Sequence, residues 1–260
     1  MVPVFFVQNN MIERLTVPVA RYAHEAGVAL EDRSSTSKLN VDDCGIDWSR
    51  YNPVLPYGSV QFLNKLKRSS HLARYVHLDD ELFSARGWHA SAVGNQLLNR
   101  DGRLIAVQDV AGELACGQPL HIRPDTEHKA FNARVFDEAS WRAVGAERPL
   151  KADTTCWVSP VQAIAGEWRC WFVGGQLVEV SQYRRDGQSH YERGAPADVR
   201  LYAQSVADRF LPAPCVVMDV AATHNGPRVI EFNPIHSAGW YAADVAAVLQ
   251  AWLGWSCRYL

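Results

Sequence analysis

The sequence predicts an α+β protein in which a small α/β unit precedes a half rich in β-hairpins. Two pairs of apolar runs in the second half predict hairpins, because Gly174-Gly175 joins one pair and Asn225-Gly226 joins the other. Both dipeptides favour a tight strand reversal. In the first half, short apolar runs alternate with helix-like segments. We therefore divide the chain near residue 105, into domains of residues 1–105 and 106–260.

The N-terminal half predicts short strands that alternate with helices. In chain order these elements are a strand at residues 2–7, a helix at 12–26, a strand at 28–30 and a helix at 60–66. Pro18 weakens the first half of the first helix, because proline lacks a backbone donor. Residues 53–59 contain two prolines and a glycine and predict a tight loop, and residues 97–107 predict either a hairpin or the link into the second half.

The C-terminal half predicts extended segments and two helices. In chain order these are a strand at residues 120–125, an extended segment at 157–164, a hairpin at 167–183, a helix at 197–210, a hairpin at 216–233 and an amphipathic helix at 241–252. Asp198 is the expected N-cap of the first of these helices, because its carboxylate can accept a hydrogen bond from the free amides of the first turn.

The composition narrows the class of protein. Of the 260 residues, 48% are hydrophobic and 21% are charged, which is ordinary for a globular chain. The formal net charge is −2, so no global basic field attracts nucleic acid and we expect no nucleic-acid partner. The apolar runs are shorter than the roughly 18 residues of a membrane span, and the six scattered cysteines favour buried thiols in a reducing compartment. We expect a cytoplasmic protein without a membrane partner.

The second hairpin of the C-terminal half brings possible metal ligands together. Strand alternation places Glu231 and Asn233 on one face, and an in-register hairpin brings Asp219 close to them. Two carboxylates and an amide oxygen are hard ligands of the kind that Mg²⁺ prefers. The alternative is a surface hairpin with solvated acids, although an unpaired carboxylate is costly in an otherwise apolar run.

Two cations upstream suit an anionic ligand. Arg123 lies at the end of a predicted strand, and Lys129 follows in the next loop. Arginine offers phosphate a bidentate fork and lysine a mobile point charge, so together they would form the mouth of a phosphate-binding cleft. Two exposed salt-bridging residues are the alternative.

The order of these motifs resembles the ATP-grasp fold, in which two α+β subdomains enclose a nucleotide cleft. It resembles in particular a branch of predicted amide-forming ligases named for two arginines and one lysine. The residues that carry the resemblance are Ile122-Arg123-Pro124-Asp125, Lys129-Ala130-Phe131, Glu167-x-Arg169, Asp219 and Glu231-x-Asn233. The specific match covers about half of the chain, and the N-terminal half matches only in outline the small α/β domain that usually precedes an ATP-grasp core.

The resemblance implies roles for these residues. Asp219, Glu231 and Asn233 are implied to hold Mg²⁺ between ATP phosphates, and Arg123 and Lys129 to bind the phosphates. The residues implied to contact the nucleotide elsewhere in the cleft are Ser159, Gln162, Ile164, Glu167 and Tyr183. Arg169, together with Lys129, is implied to stabilise charge on the transferred phosphoryl group.

The implied activity is an ATP- and Mg²⁺-dependent ligase that joins a carboxylate to an amine through an acyl phosphate. Its partners would be small-molecule or peptide carboxylate and amine substrates, bound between the two halves. The candidate walls for that site, each with a structural alternative, are Tyr57, Trp88, His89 and His236. Two other functions stay open, a small-molecule kinase with the same site and a nucleotide-binding protein without turnover. The sequence gives no indication of the oligomeric state.

Overall fold

The computed structural model describes residues 1–36, 38–126, 130–147 and 149–260. Within these ranges the strands are β1 (Val2–Gln8), β2 (Ala29–Arg33), β3 (Tyr51–Tyr57), β4 (Arg103–Ala106), β5 (Leu120–Pro124), β6 (Arg134–Phe136), β7 (Thr155–Pro160), β8 (Gly166–Val173), β9 (Gln176–Arg185), β10 (Gln188–Arg193), β11 (Cys215–Thr223) and β12 (Gly226–Pro234). The α-helices are α1 (Glu13–Glu25), α2 (Val60–Leu66), α3 (Ala85–Ala90), α4 (Val110–Leu114), α5 (Glu138–Glu147), α6 (Ala197–Ala207) and α7 (Val245–Tyr259). Strands and helices of this kind confirm the predicted α+β class.

The N-terminal strands form a parallel sheet in the order β2-β1-β3. The predicted loop at residues 53–59 is wrong over most of its length, because residues 51–57 form β3. β3 lies at the edge of its sheet, where a proline's missing N–H can face away from the ladder. Val54 and Leu55 are buried opposite Val4 and Phe5, and this apolar burial outweighs the turn signal of the prolines.

Helix positions differ from the sequence predictions at three points. α1 continues through Pro18, because Thr16, Val19 and Ala23 are buried along one side of it. α6 is flanked by Pro196 at its N-cap, so the prediction that Asp198 caps it is wrong and Asp198 lies in the first turn. α7 begins at residue 245 and not at 241, because Tyr241 has a φ of 51° that an α-helix does not accommodate.

Five antiparallel strands form the central sheet, in the order β10-β9-β8-β11-β12. Both predicted hairpins, β8–β9 and β11–β12, are confirmed. The pairing register sets Arg169 of β8 opposite Asp219 of β11, and Asp219 opposite Glu231 of β12. Three neighbouring strands thus align these side chains in one row across the sheet.

The remaining sheet has the order β4-β7-β5-β6 and is antiparallel. Of the two alternatives for residues 97–107, a hairpin is wrong, because β4 pairs with the distant β7. The turn before β4 is tight at Gly102, where an added Cβ would lie 2.2 Å from Trp157 Nε1. The division of the chain near residue 105 stays a prediction.

The parallel sheet and the central sheet share two hydrophobic cores. Val4 and Phe6 of β1 belong to one core with Met218 of β11, and Phe5 belongs to the other with Trp171 of β8. The second core also contains residues of α1 and α7, which brings α1 beside the segment 235–244. Among the described helices none is both long enough and apolar enough to cross a membrane.

Candidate active site

A buried ion pair lies at the centre of the row across the central sheet. Arg169 donates from Nε to Asp219 Oδ1 at 2.8 Å and from its NH2 nitrogen to Oδ2 at 2.7 Å. Both side chains are less than one tenth exposed. Burial raises the pKa of the Asp219 carboxyl to about 6, although the charge of Arg169 and its hydrogen bonds oppose that shift. The Asp219 carboxylate therefore sits in surroundings that still favour additional positive charge.

Asn233 connects the two acids of the β11–β12 hairpin. Its Nδ2 donates to Glu231 Oε1 at 3.0 Å and lies 3.5 Å from Asp219 Oδ2. The three side chains lie together, with the Asn233 NH2 group and not its amide oxygen directed at the acids, and their role as metal ligands stays a prediction. Among the described residues, no group of three or more His, Cys, Asp or Glu side chains could hold a metal ion. A divalent cation here would need the two carboxylates, the amide and oxygens of its own ligand, which is how Mg²⁺ is usually bound beside phosphates.

Arg123 reaches from β5 to the same hairpin. Its NH2 nitrogen lies 3.2 Å from Glu231 Oε2, and its NH1 nitrogen lies 3.5 Å from the carbonyl oxygen of Ile230. The guanidinium carbon lies 4.5 Å from the ring centre of Trp88, within cation–π range. Its buried Nε finds no hydrogen-bond partner in the described part of the chain. A buried, unpaired guanidinium N–H is a strong donor for an incoming anion.

The Asp125 side chain of the Arg-Pro-Asp motif has a structural role. Its Oδ1 accepts from the backbone N–H of Arg86 at 2.9 Å, and its Oδ2 lies 3.1 Å from the Arg86 guanidinium. The carbonyl oxygen of Asp125 accepts from the N–H of Ala85 at 2.8 Å. Asp125 therefore fastens the end of β5 to the first turn of α3, the helix that carries Trp88. The motif supplies Arg123 and also anchors the ring on which Arg123 rests.

A cavity of about 390 Å³ collects most of the predicted site residues. Those that line it are Arg123, Gln162, Ile164, Glu167, Arg169, Tyr183, Asp219 and Glu231. Ser159 is buried beside the cavity and does not line it, and Asn233 lines a neighbouring cavity. Lys129 lies outside the described residues. The cavity therefore joins residues of the β5, β8–β9 and β11–β12 segments that are far apart in the chain.

Further residues line this cavity that no sequence motif identified as site residues. They are Asn99, His121, Arg134, Arg184 and Tyr241, among others. Arg184 pairs with Glu167 at 3.2 Å, and the His121 Nδ1 lies 3.2 Å from Asn99 Nδ2. Burial, helped by Arg123, lowers the pKa of His121 to about 4, so this ring is neutral at pH 7. Strand pairing between distant segments brings these residues to the cavity, and local sequence patterns do not encode it.

Two tyrosines flank the Arg169 guanidinium. The Tyr183 and Tyr241 rings stack with centres 4.9 Å apart, and the guanidinium carbon lies 4.9 Å from the Tyr241 ring centre. Burial raises the pKa of Tyr183 well above its ordinary value, so its hydroxyl stays protonated at neutral pH. Both ring centres lie within about 6 Å of the guanidinium carbon, the range of a cation–π interaction.

The four candidate wall residues are structural in the described chain. Trp88 lies beneath Arg123, and the Tyr57 hydroxyl donates to the carbonyl oxygen of Ala238 at 2.8 Å. His89 stacks on the ring of Trp157 at 3.6 Å. His236 is fully buried, and both of its ring nitrogens have partners. Nδ1 lies 3.0 Å from the carbonyl oxygen of Pro56, and Nε2 accepts from the N–H of His77 at 3.1 Å. The structural alternative for each of the four residues therefore accounts for its position.

Proteins of known structure share this fold. D-cycloserine synthetase DcsG has a TM-score of 0.65 at 15% identity, with 96% of this chain and 98% of that chain covered. D-alanine–D-alanine ligase from Bacillus anthracis, solved with ATP, has a TM-score of 0.64 at 12% identity, with 99% and 98% covered. The ATP-grasp ligase PsnB, solved with a minimal precursor, has a TM-score of 0.60 at 12% identity, with 98% and 99% covered. At such low identities the likeness shows the fold alone, which is the predicted ATP-grasp fold.

The sequence defines the family more closely. Residues 56–252 match the model of an ATP-grasp domain family, the third family of the clade named for two arginines and a lysine. No curated protein matches the sequence. The chain therefore belongs to this third family of the clade, and the predicted membership of the branch named for two arginines and a lysine is confirmed.

Proposed function

We propose that the protein is an ATP- and Mg²⁺-dependent ligase that joins a carboxylate to an amine. The observation that carries this proposal is the row of Arg169, Asp219 and Glu231 along one cavity, with Arg123 paired with Glu231 and Asn233 in contact with both acids. This arrangement places carboxylates for a metal beside guanidinium groups for phosphate. The ligase activities named for the similar structures, D-cycloserine synthetase and D-alanine–D-alanine ligase, support the same class of reaction.

The donor set fits Mg²⁺. Asp219, Glu231 and Asn233 would hold the ion, which would supply positive charge against the phosphates. The bidentate contact with Arg169 uses one acceptor position on each Asp219 oxygen. Oδ1 retains another, and the second position of Oδ2 faces the Asn233 NH2 group at 3.5 Å. The raised pKa of Asp219 supports the assignment, since a carboxylate that is short of positive charge gains most from a cation.

The remaining predicted residues would bind the nucleotide. Arg123 would direct its unpaired Nε–H toward a phosphate oxygen. Ile164 would provide an apolar wall for the base, with Gln162 beside it. Within the described residues, Arg169 uses three of its five N–H groups, two on Asp219 and one on the Gly239 carbonyl oxygen at 3.3 Å. The other two are available to stabilise charge on the transferred phosphoryl group.

The reaction would proceed in two displacements. A carboxylate oxygen of the acid attacks the γ-phosphorus, the bond from that phosphorus to the bridging oxygen breaks, and ADP leaves with the electron pair. The amine nitrogen then attacks the acyl carbon, phosphate leaves with the bonding electrons, and the nitrogen loses a proton. Positioning and charge neutralisation by arginines supply most of the catalysis in such a transfer, with no protein nucleophile.

Hydroxylamine trapping tests the proposal. The protein would be incubated with Mg²⁺, ATP, hydroxylamine and a panel of carboxylic acids, and the release of ADP and the formation of hydroxamate would be measured. An acyl phosphate gives hydroxamate in equal amount to ADP. A phosphorylated product that resists hydroxylamine would identify a kinase instead, and Mg²⁺-dependent ATP binding without ADP release under any pairing would identify a binding protein.

Glu231→Gln is the matched test of the site. We expect a loss of at least about 100-fold in hydroxamate formation, because the variant removes a charge aimed at the phosphate-bound metal. The control is Glu138→Gln, which removes an exposed carboxylate on α5 that pairs with Arg142. Equal activity of the Glu231→Gln variant and the control would refute the assigned site.

A further inference from the structure

A second cavity adjoins the first across the Arg169 guanidinium. Its volume is about 540 Å³, and Arg169, Glu231 and Tyr241 line both cavities. The new walls come from α1 and from the segment 235–244 that follows β12. The reacting end of the nucleotide, if bound as proposed, would meet a molecule in this second cavity at these three shared residues.

The second cavity has a fixed apolar interior. The ring nitrogen of Trp240 donates to the carbonyl oxygen of Leu15 at 2.9 Å, which joins the segment 235–244 to α1. Trp240 stacks on the buried ring of Tyr57 at 5.2 Å. Leu15, Pro18, Trp240 and Val245 thus provide an apolar lining beside the charged residues Arg14 and Arg169. Such a lining suits a hydrocarbon segment of a ligand.

The charges at the two ends of the cavity are unequal. Arg14 lines it from the first turn of α1, is exposed, and has no hydrogen bond or ion pair with any residue in the described ranges. Arg169 lines the cavity at the end shared with the first. Glu231 is the one carboxylate among the described lining residues, and Arg123 pairs with it at 3.2 Å. Arg169 is paired with Asp219, so Arg14 carries the one charge of this lining that no opposite charge compensates within the described residues.

From this geometry we propose that the second cavity binds the acid substrate as an organic dianion with an apolar chain. One carboxylate lies beside Arg169 and Tyr241, where it is activated, and the second anionic group lies against Arg14. The hydrocarbon between them packs on Leu15 and Trp240. An acid that ends in an ammonium group is disfavoured, because the lining offers it no unpaired carboxylate. The assignment of the carboxylate beside Arg169 as the one that reacts rests on the proposed function. The preference of the cavity for a dianion does not rest on it.

Calorimetry with three acids of equal chain length tests the preference without any nucleotide. The probes are caproate, adipate and ε-aminocaproate, which differ in the group at the far end, and the series is repeated for shorter and longer chains from succinate to suberate. We expect the diacid of the best length to bind roughly fivefold more tightly than the matched monoacid, the gain of a charge-assisted contact at an exposed arginine. The amino acid should bind no more tightly than the monoacid.

Arg14→Gln and Arg21→Gln form the matched pair of variants. Arg21 is an exposed arginine of the same helix and does not line the cavity. Arg14→Gln should reduce the diacid preference to within roughly twofold of unity, and Arg21→Gln should retain it. Equal binding of diacids and monoacids by the unmodified protein, tighter binding of the amino acid, or an intact preference in Arg14→Gln would each overturn the proposal.

The two proposals fail in different ways. Adipate selectivity that depends on Arg14 without any ADP formation would support the anion site and refute the ligase. Hydroxamate formation with monoacids that is as efficient as with diacids, and unaffected by Arg14→Gln, would support the ligase and refute the anion site.

Discussion

Replacing Asp219 with asparagine removes a buried negative charge with little change in shape. Arg169 would then face one amide oxygen and one amide NH2 group in place of the two carboxylate oxygens that it contacts at 2.8 and 2.7 Å. Arginine cannot release its proton, so its charge would stay buried without compensation. Removal of one partner from a buried ion pair costs about 3–5 kcal/mol. For a chain of this size we expect the melting temperature to fall by about 10 °C.

The partner variant, Arg169→Met, should cost less. The Asp219 carboxyl already has a pKa raised by burial, and without Arg169 it would be raised further. A carboxyl with a raised folded-state pKa binds a proton that the unfolded chain does not, so this variant should gain stability as the pH falls. At about pH 6 we therefore expect Asp219→Asn to be the more destabilised of the two.

Urea unfolding without nucleotide measures both changes. The control is Glu138→Gln, which breaks an exposed pair on one helix and should cost about 0.5 kcal/mol or less. The double variant Arg169→Met with Asp219→Leu should be more stable than Asp219→Asn alone, because no buried charge remains. If Asp219→Asn is as mild as the control, or if the double variant is no more stable than Asp219→Asn, the reasoning about a mutually compensating pair is refuted.

Three further changes test the surroundings of the site. Burial lowers the pKa of His236 to about 3, so the free energy of unfolding should fall as the pH drops from about 6.5 toward 4. In urea titrations, His236→Gln should flatten that slope by about 1.4 kcal/mol per pH unit. Gly102→Ala should destabilise by about 1–3 kcal/mol in the same assay, because its methyl would lie 2.2 Å from Trp157 Nε1, whereas Gly112→Ala, with open space around it, should not. Asp125→Ala should cost about 1–3 kcal/mol by freeing the first turn of α3, and an unchanged unfolding midpoint would contradict its anchoring role.

The sequence encodes the reversal of the acidic hairpin locally. Asn225-Gly226 predicts a strand reversal, and the turn forms at His224-Asn225, since Thr223 pairs with Gly226. A register shift between Val220 and Asp219 then sets Asp219 opposite Glu231, where unbroken pairing would set it opposite Ile230, and no sequence pattern predicts that shift. The contact between Arg169 and Asp219 is different, because it depends on the pairing of β8 with β11, whose order in the sheet no local pattern specifies. The motif order predicted that Arg169 belongs to the site. It did not predict that this arginine holds Asp219.

The same distinction explains the incorrect loop at residues 53–59. Its prolines are strong local signals for a turn, and the sequence alone does not show that the segment lies at a sheet edge where those prolines are tolerated. Arg14 illustrates a further limit. Its place on α1 was predictable, but its approach to the cavity follows from the shared core that packs α1 against the segment 235–244.

The net charge of the described cavity bears on the role predicted for Lys129, which lies outside the described residues. The described lining of the first cavity contains four arginines, at positions 123, 134, 169 and 184, and three carboxylates, at 167, 219 and 231. Four positive and three negative charges leave a net charge of +1, whereas Mg²⁺-bound ATP carries a net charge of about −2. Lys129 contributes one further positive charge five residues before Arg134 in the chain. If Lys129 contacts the bound nucleotide as predicted, the charges cancel, which gives the predicted role of this lysine a simple electrostatic basis.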